Sequence, residues 1–347
     1  MKGSSYLRKV QLTGGSTYIV SLPKDWVKDV RLKPGDYIRV KIQPDGSLLI
    51  TPGREGAKIE GELSTISIDA SKASTPHDIA REFIACYLTG YESIEVRFDP
   101  RTAGYKTHLK NIMRRKLIGM EVLEEAAERM LARCLIGYTE LPVKDAVNRM
   151  YVMALSMHKD VITALLSGNT SLAREVIERD DEVDRLYFFV VRQLKRAVEN
   201  RFMIEEVGLS RPIDCLGYRI VVKSIERIGD HATKMAEAML RIDELPKSLA
   251  GMLSEISLMS EISRDILKNA MRALHRLDVR QANEAINKAG EVVRLEKEVT
   301  EAILQAGLST KTAVSLRLIL ESIKRTSEYS TDIAEIAINL AKKHLRQ

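Results

Sequence analysis

The feature that most constrains the fold of this chain is an internal repeat in its C-terminal half. Residues 224–237 read SIERIGDHATKMAE and residues 322–335 read SIKRTSEYSTDIAE, which share Ser, Ile, Arg, Thr, Ala and Glu in register at an offset of 98. A second pair, AREVIERDDEVDRL at 173–186 and ANEAINKAGEVVRL at 282–295, matches at an offset of 109. Because the offsets differ, the gaps fall in the connections, as in a duplicated structural unit.

The repeat predicts an all-α region built from two copies of one helical unit. Gly- or Pro-containing breaks separate six amphipathic stretches, and the repeated segments fall on the second, third, fifth and sixth of them. These stretches lie near 143–167, 170–199, 212–243, 247–276, 278–306 and 311–345. We therefore expect two three-helix bundles side by side, residues 143–245 and residues 246–347.

Paired acids on two of these helices predict a metal site. Asp180 and Asp184 on the second helix, and Glu226 and Asp230 on the third, are each spaced four residues apart and so project from one face. If the two helices are neighbours, four carboxylates converge. Hard oxygen ligands of this kind suit Mg, Mn or Fe.

The position of the four acids predicts that this site lies on the bundle surface. Asp180 and Asp184 lie at the edge of the apolar stripe of their helix, whereas Glu226 and Asp230 lie well off theirs. Surface salt bridges are the alternative interpretation, and residue spacing alone favours them over a metal. The basic residues beside the acids are Arg185, Arg227 and Lys234.

The first 54 residues hold all the excess positive charge. The formal net charge of the chain is +6, and residues 1–54 contain ten Lys or Arg against four Asp. A basic segment beside neutral bulk suggests a polyanion partner, most often nucleic acid, with a solvated basic face as the alternative. Four short strands and one short helix are expected here, too little to bury a core without a partner chain.

Residues 55–142 predict a small α+β domain with helices on one face of a sheet. A basic helix in this segment, which includes Lys106, Lys110, Arg114, Arg115 and Lys116, could touch phosphates, but a solvated helix face is the favoured interpretation. The segment contains no phosphate-binding loop and no nucleophile elbow, and it gives no other indication of function.

The composition of the chain argues for a cytoplasmic protein. Three widely spaced cysteines without a C-x-x-C motif argue against a disulfide framework or a cysteine zinc site. No uncharged run approaches the roughly 20 apolar residues that cross a bilayer, and the N-terminus lacks a signal peptide.

The N-terminal segment resembles a known DNA-binding module. RKVQLTGGSTYIVSLPKDWVKDVRLKPGDYIRVKIQPDGSLLITP is similar to AbrB-type swapped-hairpin domains over residues 6–52. The resemblance implies a homodimer in which two chains interlock into one small β-barrel, with residues 1–54 as its domain. It also implies that basic side chains on this barrel contact DNA. The candidates are Arg8, Lys9, Lys24 and Lys28.

The helical region resembles the PhoU domain, a three-helix unit duplicated in phosphate-uptake regulators. DDEVDRL followed by SIERIGDHATKMAE carries this resemblance, which implies surface metal clusters held by acid pairs on two adjacent helices. In this chain the implied ligands are Asp180, Asp184, Glu226 and Asp230, and the implied ion is divalent or iron-type (Fe, Mn, Mg or Zn). His231 could add a ligand.

The second copy of the unit departs from this pattern. Ala289 and Val293 stand at the positions of Asp180 and Asp184, Lys324 at that of Glu226, and Glu328 at that of Asp230. The pair Glu328–Asp332 is therefore shifted by one turn, and a second metal site there is in doubt.

These observations favour a DNA-binding regulator of phosphate uptake with a metal-binding sensory or docking module. The alternative is an adaptor that does not bind DNA and docks on a phosphate transporter or sensor kinase. A metal-dependent enzyme is disfavoured because no general base, nucleophile or phosphate cradle accompanies the acids.

Overall fold

The structure is a computed structural model that divides the chain into two compact units, Met1–Leu63 and Ser64–Gln347. It describes residues 6–42, 46–53, 65–137, 140–199, 203–243 and 249–344. None of the helices in these ranges combines the length and the apolar character that a membrane span needs.

The N-terminal unit consists of two β-hairpins and one short helix, as predicted. Strands β1 (Gln11–Thr13) and β2 (Thr17–Ile19) pair antiparallel, and so do β3 (Ile38–Ile42) and β4 (Leu48–Pro52), while α1 spans Lys24–Asp29. Gly14 and Gly15 in the β1–β2 turn both adopt positive φ angles, which only glycine takes without strain.

The described part of the N-terminal unit has no buried side chain of its own. Several of its apolar residues face solvent: Leu7 is 97% exposed, Tyr37 86%, and Tyr18 and Ile42 76% each. A single chain therefore builds the hairpins without building a core. The predicted interlocked barrel requires a second chain and stays a prediction.

Residues 65–134 form the predicted small α+β segment, which belongs to the second unit. Its sheet has the order β5-β6-β8-β7, in which β5 and β6 are parallel and the other pairs antiparallel. Ile68, Ile94 and Met130 of the sheet share one buried core with Phe83 and Leu109 of the helices. The elements are β5 (Thr65–Asp69), α2 (Pro76–Leu88), β6 (Ser93–Arg97), α3 (Tyr105–Lys116), β7 (Met120–Glu125) and β8 (Arg129–Cys134).

Six long helices follow, close to the predicted bounds. They are α4 (Val143–Ser167), α5 (Thr170–Glu199), α7 (Asp214–Met239), α8 (Ala250–Arg276), α9 (Val279–Gln305) and α10 (Thr310–His344), with a short α6 (Met203–Glu206) between α5 and α7. Helices α4, α5 and α7 form one bundle and α8, α9 and α10 the other, and all six contribute to one continuous apolar core.

The two bundles meet along α7 and α10, the helices that carry the repeat with an offset of 98. His231 Nδ1 lies 3.2 Å from Ser322 Oγ, and the His231 ring lies 5.8 Å from that of Tyr329, centroid to centroid. His231 and Tyr329 are equivalent positions, 98 residues apart. The contact of a residue with its own counterpart places a pseudo-twofold axis between α7 and α10.

The α+β segment is fixed to helix α5 by a buried arginine. Arg192 donates to the backbone carbonyls of Tyr87 and Gly90 at the end of α2, and its guanidinium lies 4.7 Å from the Tyr87 ring centroid. A cation at a helix C-terminus satisfies carbonyls that lack helical partners. Leu88 and Phe188 pack against both apolar cores. The α+β segment and the first bundle therefore share a packed apolar interface.

Candidate functional site

Helices α5 and α7 bring three of the four predicted ligands together. Asp184, Glu226 and Asp230 each offer one carboxylate oxygen, and these oxygens all lie within 4.8 Å of one another. We call these three residues the acid cluster. Asp180 lies one turn before Asp184, close to the cluster but outside this group.

The acid cluster is less exposed than the sequence pattern predicted. Glu226 is buried, only 8% exposed, whereas Asp180, Asp184 and Asp230 are half-buried. The prediction that Glu226 lies well off the buried face of its helix was wrong. The reason is that α7 is covered on several sides, by α4, α5 and α10, so its buried face is wider than one stripe.

Burial and neighbouring like charges oppose the ionisation of these acids. The pKa of Asp180 is raised to about 7, first by burial and then by the neighbouring charges of Asp184 and Asp230. Burial is also the main cause that raises the pKa of Glu226 and of Asp230. Burial combined with like charge opposes ionisation, so a bound cation would stabilise the charged forms.

Two lysines contact the acid cluster. Lys116 Nζ, at the end of α3, lies 2.9 Å from Asp184 Oδ2, and Lys223 Nζ lies 2.6 and 2.5 Å from the two oxygens of Glu226. Beside them Arg115 pairs with Asp181 at 2.8 Å. The expectation of a solvated face was therefore wrong for Lys116, which α3 turns toward α5, whereas Arg115 stays 68% exposed although it pairs with Asp181.

Two of the three basic residues that the sequence placed beside the acids make other contacts. Arg185 pairs with Glu182 at 3.1 Å, and the Arg227 guanidinium lies 5.3 Å from the Tyr329 ring centroid. His231, a possible extra ligand, lies beside Ser322 on α10. Its pKa is lowered to about 4, mainly by burial. Residue spacing gave no signal for Lys116, whereas Lys223 lies three residues before Glu226, a spacing that brings side chains together on a helix.

The donor set of the acid cluster fits a hard cation. Three carboxylates without a cysteine or a histidine suit Mg, Mn or Fe better than Zn, which is usually held by nitrogen or sulfur. Asp180 lies outside this set, although the charges of Asp184 and Asp230 act on it. The residues present thus fit the predicted metal ion.

The second bundle does not gather its acids in this way. Glu328 pairs with Arg325 at 2.8 Å, and Arg325 also pairs with Glu321 at 3.1 Å. Burial raises the pKa of Asp332. Among the described residues, Glu328 and Asp332 do not meet a third metal-ligating side chain.

The four predicted DNA-contacting residues are all exposed. Lys24 and Lys28 lie one turn apart on α1. The Arg8 guanidinium lies 5.6 Å from the Tyr6 ring centroid, and the Tyr6 hydroxyl is 3.3 Å from Asp25 on α1. These contacts hold the segment of Arg8 and Lys9 close to α1, so cations from two parts of the chain share one region of the N-terminal unit.

Comparison with protein families assigns the two ends of the chain separately. The model of the PhoU domain matches residues 147–239 and 256–337, together half of the chain. The model described as antidote-toxin recognition MazE, bacterial antitoxin, matches residues 11–58. The α+β segment lies between the two matches.

Individual relatives agree with the longer match. The phosphate-specific transport system accessory protein PhoU homolog 2 of Thermotoga maritima is 27% identical over 190 residues, which cover 54% of this chain and 78% of that protein. The PhoU homolog of Aquifex aeolicus is 27% identical over 203 residues, 57% of this chain and 89% of that protein. The crystal structure of the phosphate transport system regulatory protein PhoU from Streptococcus pneumoniae has a TM-score of 0.49 at 16% identity and covers 57% of this chain and 92% of its own.

Proposed function

The chain belongs to the PhoU family of phosphate-transport regulatory and accessory proteins, and we propose that it is a DNA-binding regulator of phosphate uptake. In this proposal the N-terminal unit contacts DNA, and the helical domain is a metal-binding module that senses or docks. A regulatory role agrees with the family, whose members are accessory proteins rather than enzymes. Contact with chromosomal DNA would place the protein in the cytoplasm.

The single observation that carries DNA binding is the concentration of exposed cations in the N-terminal unit. Residues 1–54 hold the whole formal excess of +6, and Arg8, Lys9, Lys24 and Lys28 all face solvent. Exposed Lys and Arg that contact phosphates release counterions from DNA and so supply affinity that does not depend on sequence. The match to an antitoxin-type domain supports the same role.

A homodimer would complete the N-terminal unit. Leu7, Tyr18, Tyr37 and Ile42 are each more than three-quarters exposed, and the described part of the unit buries nothing by itself. Exposed apolar side chains at this density call for a covering surface. A second copy of the same hairpins would provide it and would also place two basic faces on one DNA site.

The acid cluster would hold the metal ion. Asp184, Glu226 and Asp230 would provide the oxygens, and Asp180 would join them when it is ionised. A bound Mg, Mn or Fe ion would stabilise the ionised carboxylates, which burial and then like charge otherwise disfavour. The occupancy of the metal site could then depend on the conformation of the helical domain.

The alternative function is an adaptor that docks on a phosphate transporter or a sensor kinase. The names of the relatives favour this candidate, since each is a phosphate-specific transport system accessory protein. In that case the N-terminal unit would serve only to join two chains.

Salt dependence of DNA binding separates the two functions. For the regulator, log affinity should fall steeply with log salt. A variant with Gln in place of Arg8, Lys9, Lys24 and Lys28 should flatten the slope by about one unit for each phosphate that is no longer neutralised. Binding that is absent, or insensitive to salt, would favour the adaptor.

A matched control removes the same charges from the helical domain. The variant replaces one Arg and three Lys by Gln, all of them exposed: Lys144, Arg174, Lys297 and Lys342. We expect the wild-type slope, because these residues lie outside the N-terminal unit. Equal flattening in both variants would contradict the assignment of the DNA contact to residues 1–54.

A further inference from the structure

Helix α3 of the α+β segment places a cation on one of the proposed metal ligands. Lys116 is the last residue of α3, and its Nζ lies 2.9 Å from Asp184 Oδ2. The side chain is about one-third exposed and Asp184 only 16%. A half-buried ion pair of this kind is less screened by water and salt than a surface pair.

The position of Lys116 is imposed by the docking of the whole segment. Arg192 fixes the end of α2 to α5, and Arg115 pairs with Asp181 on the same face of α5 at 2.8 Å. Leu88 and Phe188 join the two apolar cores next to this contact. Lys116 is thus presented to the acid cluster by the fold rather than reaching it by chance from a flexible loop.

We propose that Lys116 is a built-in cation that competes with the metal ion for Asp184, sets the metal affinity of the acid cluster and couples metal binding to the α3–α5 contact. This inference rests on the proposed metal site. A metal ion that takes Asp184 Oδ2 must displace the ammonium group, and one that shares Asp184 with Lys116 is repelled by it. Either way, Lys116 adds a positive charge to the cluster beside that of Lys223 on Glu226, and the metal binds more weakly than it would without Lys116.

The competition must work in both directions. If Lys116 weakens metal binding by a given factor, bound metal weakens the Lys116–Asp184 pair by the same factor. Metal binding is therefore expected to loosen the C-terminal turn of α3 on α5. In this way the occupancy of the cluster would be transmitted to the α+β segment, to which neither family match assigns a role.

The test compares two lysines on the same helix. Lys116→Met removes the charge at the cluster and keeps the length of the side chain. Lys110→Met is the control, because Lys110 pairs with Glu125 inside the α+β segment and is 31% exposed, close to the 33% of Lys116. Titration calorimetry of the full chain with Mn²⁺ should give about tenfold tighter binding for Lys116→Met, with Lys110→Met within about twofold of wild type.

A second measurement follows the α3–α5 contact itself. In the wild type, Mn²⁺ should speed hydrogen exchange of the amides in the last turn of α3, and in Lys116→Met it should leave their exchange unchanged. Exchange that Mn²⁺ alters equally in both proteins would contradict the coupling. This measurement also detects a variant whose α+β segment packs poorly against α5, because the α3 amides of such a variant would exchange rapidly even without Mn²⁺.

The outcomes distinguish this inference from the metal site on which it rests. If Asp230→Asn abolishes Mn²⁺ binding, the metal site is supported. If Lys116→Met then binds Mn²⁺ no more tightly than wild type, the role of Lys116 is overturned and the metal site stands. No Mn²⁺ binding by wild type, Lys116→Met or Lys110→Met would overturn both. If Lys116→Met binds Mn²⁺ more tightly than wild type and Lys110→Met does not, the metal site and the role of Lys116 are both supported.

Discussion

The two bundles have equivalent helices in the same arrangement, but their acidic side chains have different partners. In the first bundle Asp184, Glu226 and Asp230 converge. In the second, Arg325 lies between Glu321 and Glu328 and pairs with both. The packing of the unit is thus the same in both copies, whereas a few charge substitutions decide whether its acids attract a metal ion or an arginine.

Equivalent contacts confirm that the two bundles are correctly aligned. Arg219 donates to the Tyr187 hydroxyl at 3.0 Å on the first bundle, and Arg317 pairs with Glu296 at 2.6 Å on the second. Arg317 follows Arg219 by 98 residues and Glu296 follows Tyr187 by 109, the two offsets found in the sequence. The same scaffold thus holds an arginine over a tyrosine in one copy and over a carboxylate in the other.

The largest expected effect comes from giving the first bundle the residues of the second. The double variant Asp184→Val with Glu226→Lys installs the counterparts Val293 and Lys324. It removes two of three carboxylates and adds a cation, so we expect Mn²⁺ affinity to fall by about a hundredfold or more in calorimetry.

The matched control removes acids from the second bundle. Glu328→Gln with Asp332→Asn should leave Mn²⁺ affinity within about twofold of wild type, because these acids do not join the cluster. A large loss of affinity in this control, or none in the first variant, would break the distinction between the bundles.

The paired arginines should differ in their contribution to stability. Arg317→Met leaves the Glu296 carboxylate, which is only 7% exposed, without its partner, and should lower the free energy of unfolding by about 2 kcal/mol. Arg219→Met removes an interaction with a neutral hydroxyl and ring, and should cost about 0.5–1 kcal/mol. Urea denaturation measures both, and equal destabilisation would contradict the comparison.

A buried histidine in the first bundle should make stability sensitive to acid. His158 on α4 is fully buried and lies 3.0 Å from Ser260 on α8, and its pKa is lowered to about 3, first by burial and then by the charges of Arg264 and His231. The unfolded chain takes up a proton near pH 6.5 and the folded one does not. The stability supplied by neutral His158 is therefore complete above pH 6.5 and is lost as the pH falls.

The counterpart of His158 in the second bundle offers the variant. Leu267 lies ten residues before the left-handed cap Leu277, as His158 lies ten before Gly168. Relative to its value at pH 7.5, His158→Leu should retain about 1.4 kcal/mol more unfolding free energy at pH 5.5 than wild type does. Urea denaturation gives the unfolding free energy of both proteins at each pH. If the two values changed with pH in the same way, His158 would have the same pKa in the folded and unfolded chain, which would contradict the prediction.

The smallest effect is expected at the exposed arginine of the second bundle. Arg325→Ala removes pairs with Glu321 and Glu328, but all three side chains are more than one-third exposed. Solvent screening limits such pairs, so unfolding free energy should change by about 0.5 kcal/mol or less. If Arg325→Ala destabilised the protein as much as Arg317→Met, the exposure of the paired carboxylates would not explain how much each arginine contributes to stability.

The sequence predicted the helices because local signals mark their ends. Gly168 and Gly307 adopt positive φ angles at the ends of α4 and of α9, where the sequence predicts breaks. The strands and turns of residues 6–52 were predictable for the same reason. Signals of this kind lie within a few residues of the boundary that they set.

What the sequence missed depends on which elements pack together. Lys116 meets Asp184 across 68 residues of chain, and nothing near either residue indicates the contact. The sequence pattern places Glu226 off the single apolar stripe of α7, whereas three helices cover α7 in the structure. The acid pairs could be found from spacing, and so could Lys223, three residues before Glu226. The burial of the acids and their contact with Lys116 could not.

Anomalous diffraction from crystals of the full chain soaked in Mn²⁺ would test most directly whether the first bundle, and not the second, holds a metal ion. We expect an anomalous peak within coordination distance of Asp184, Glu226 and Asp230. A peak at Glu328 and Asp332 instead, or a lysine-filled cluster without a peak at saturating Mn²⁺, would contradict this assignment.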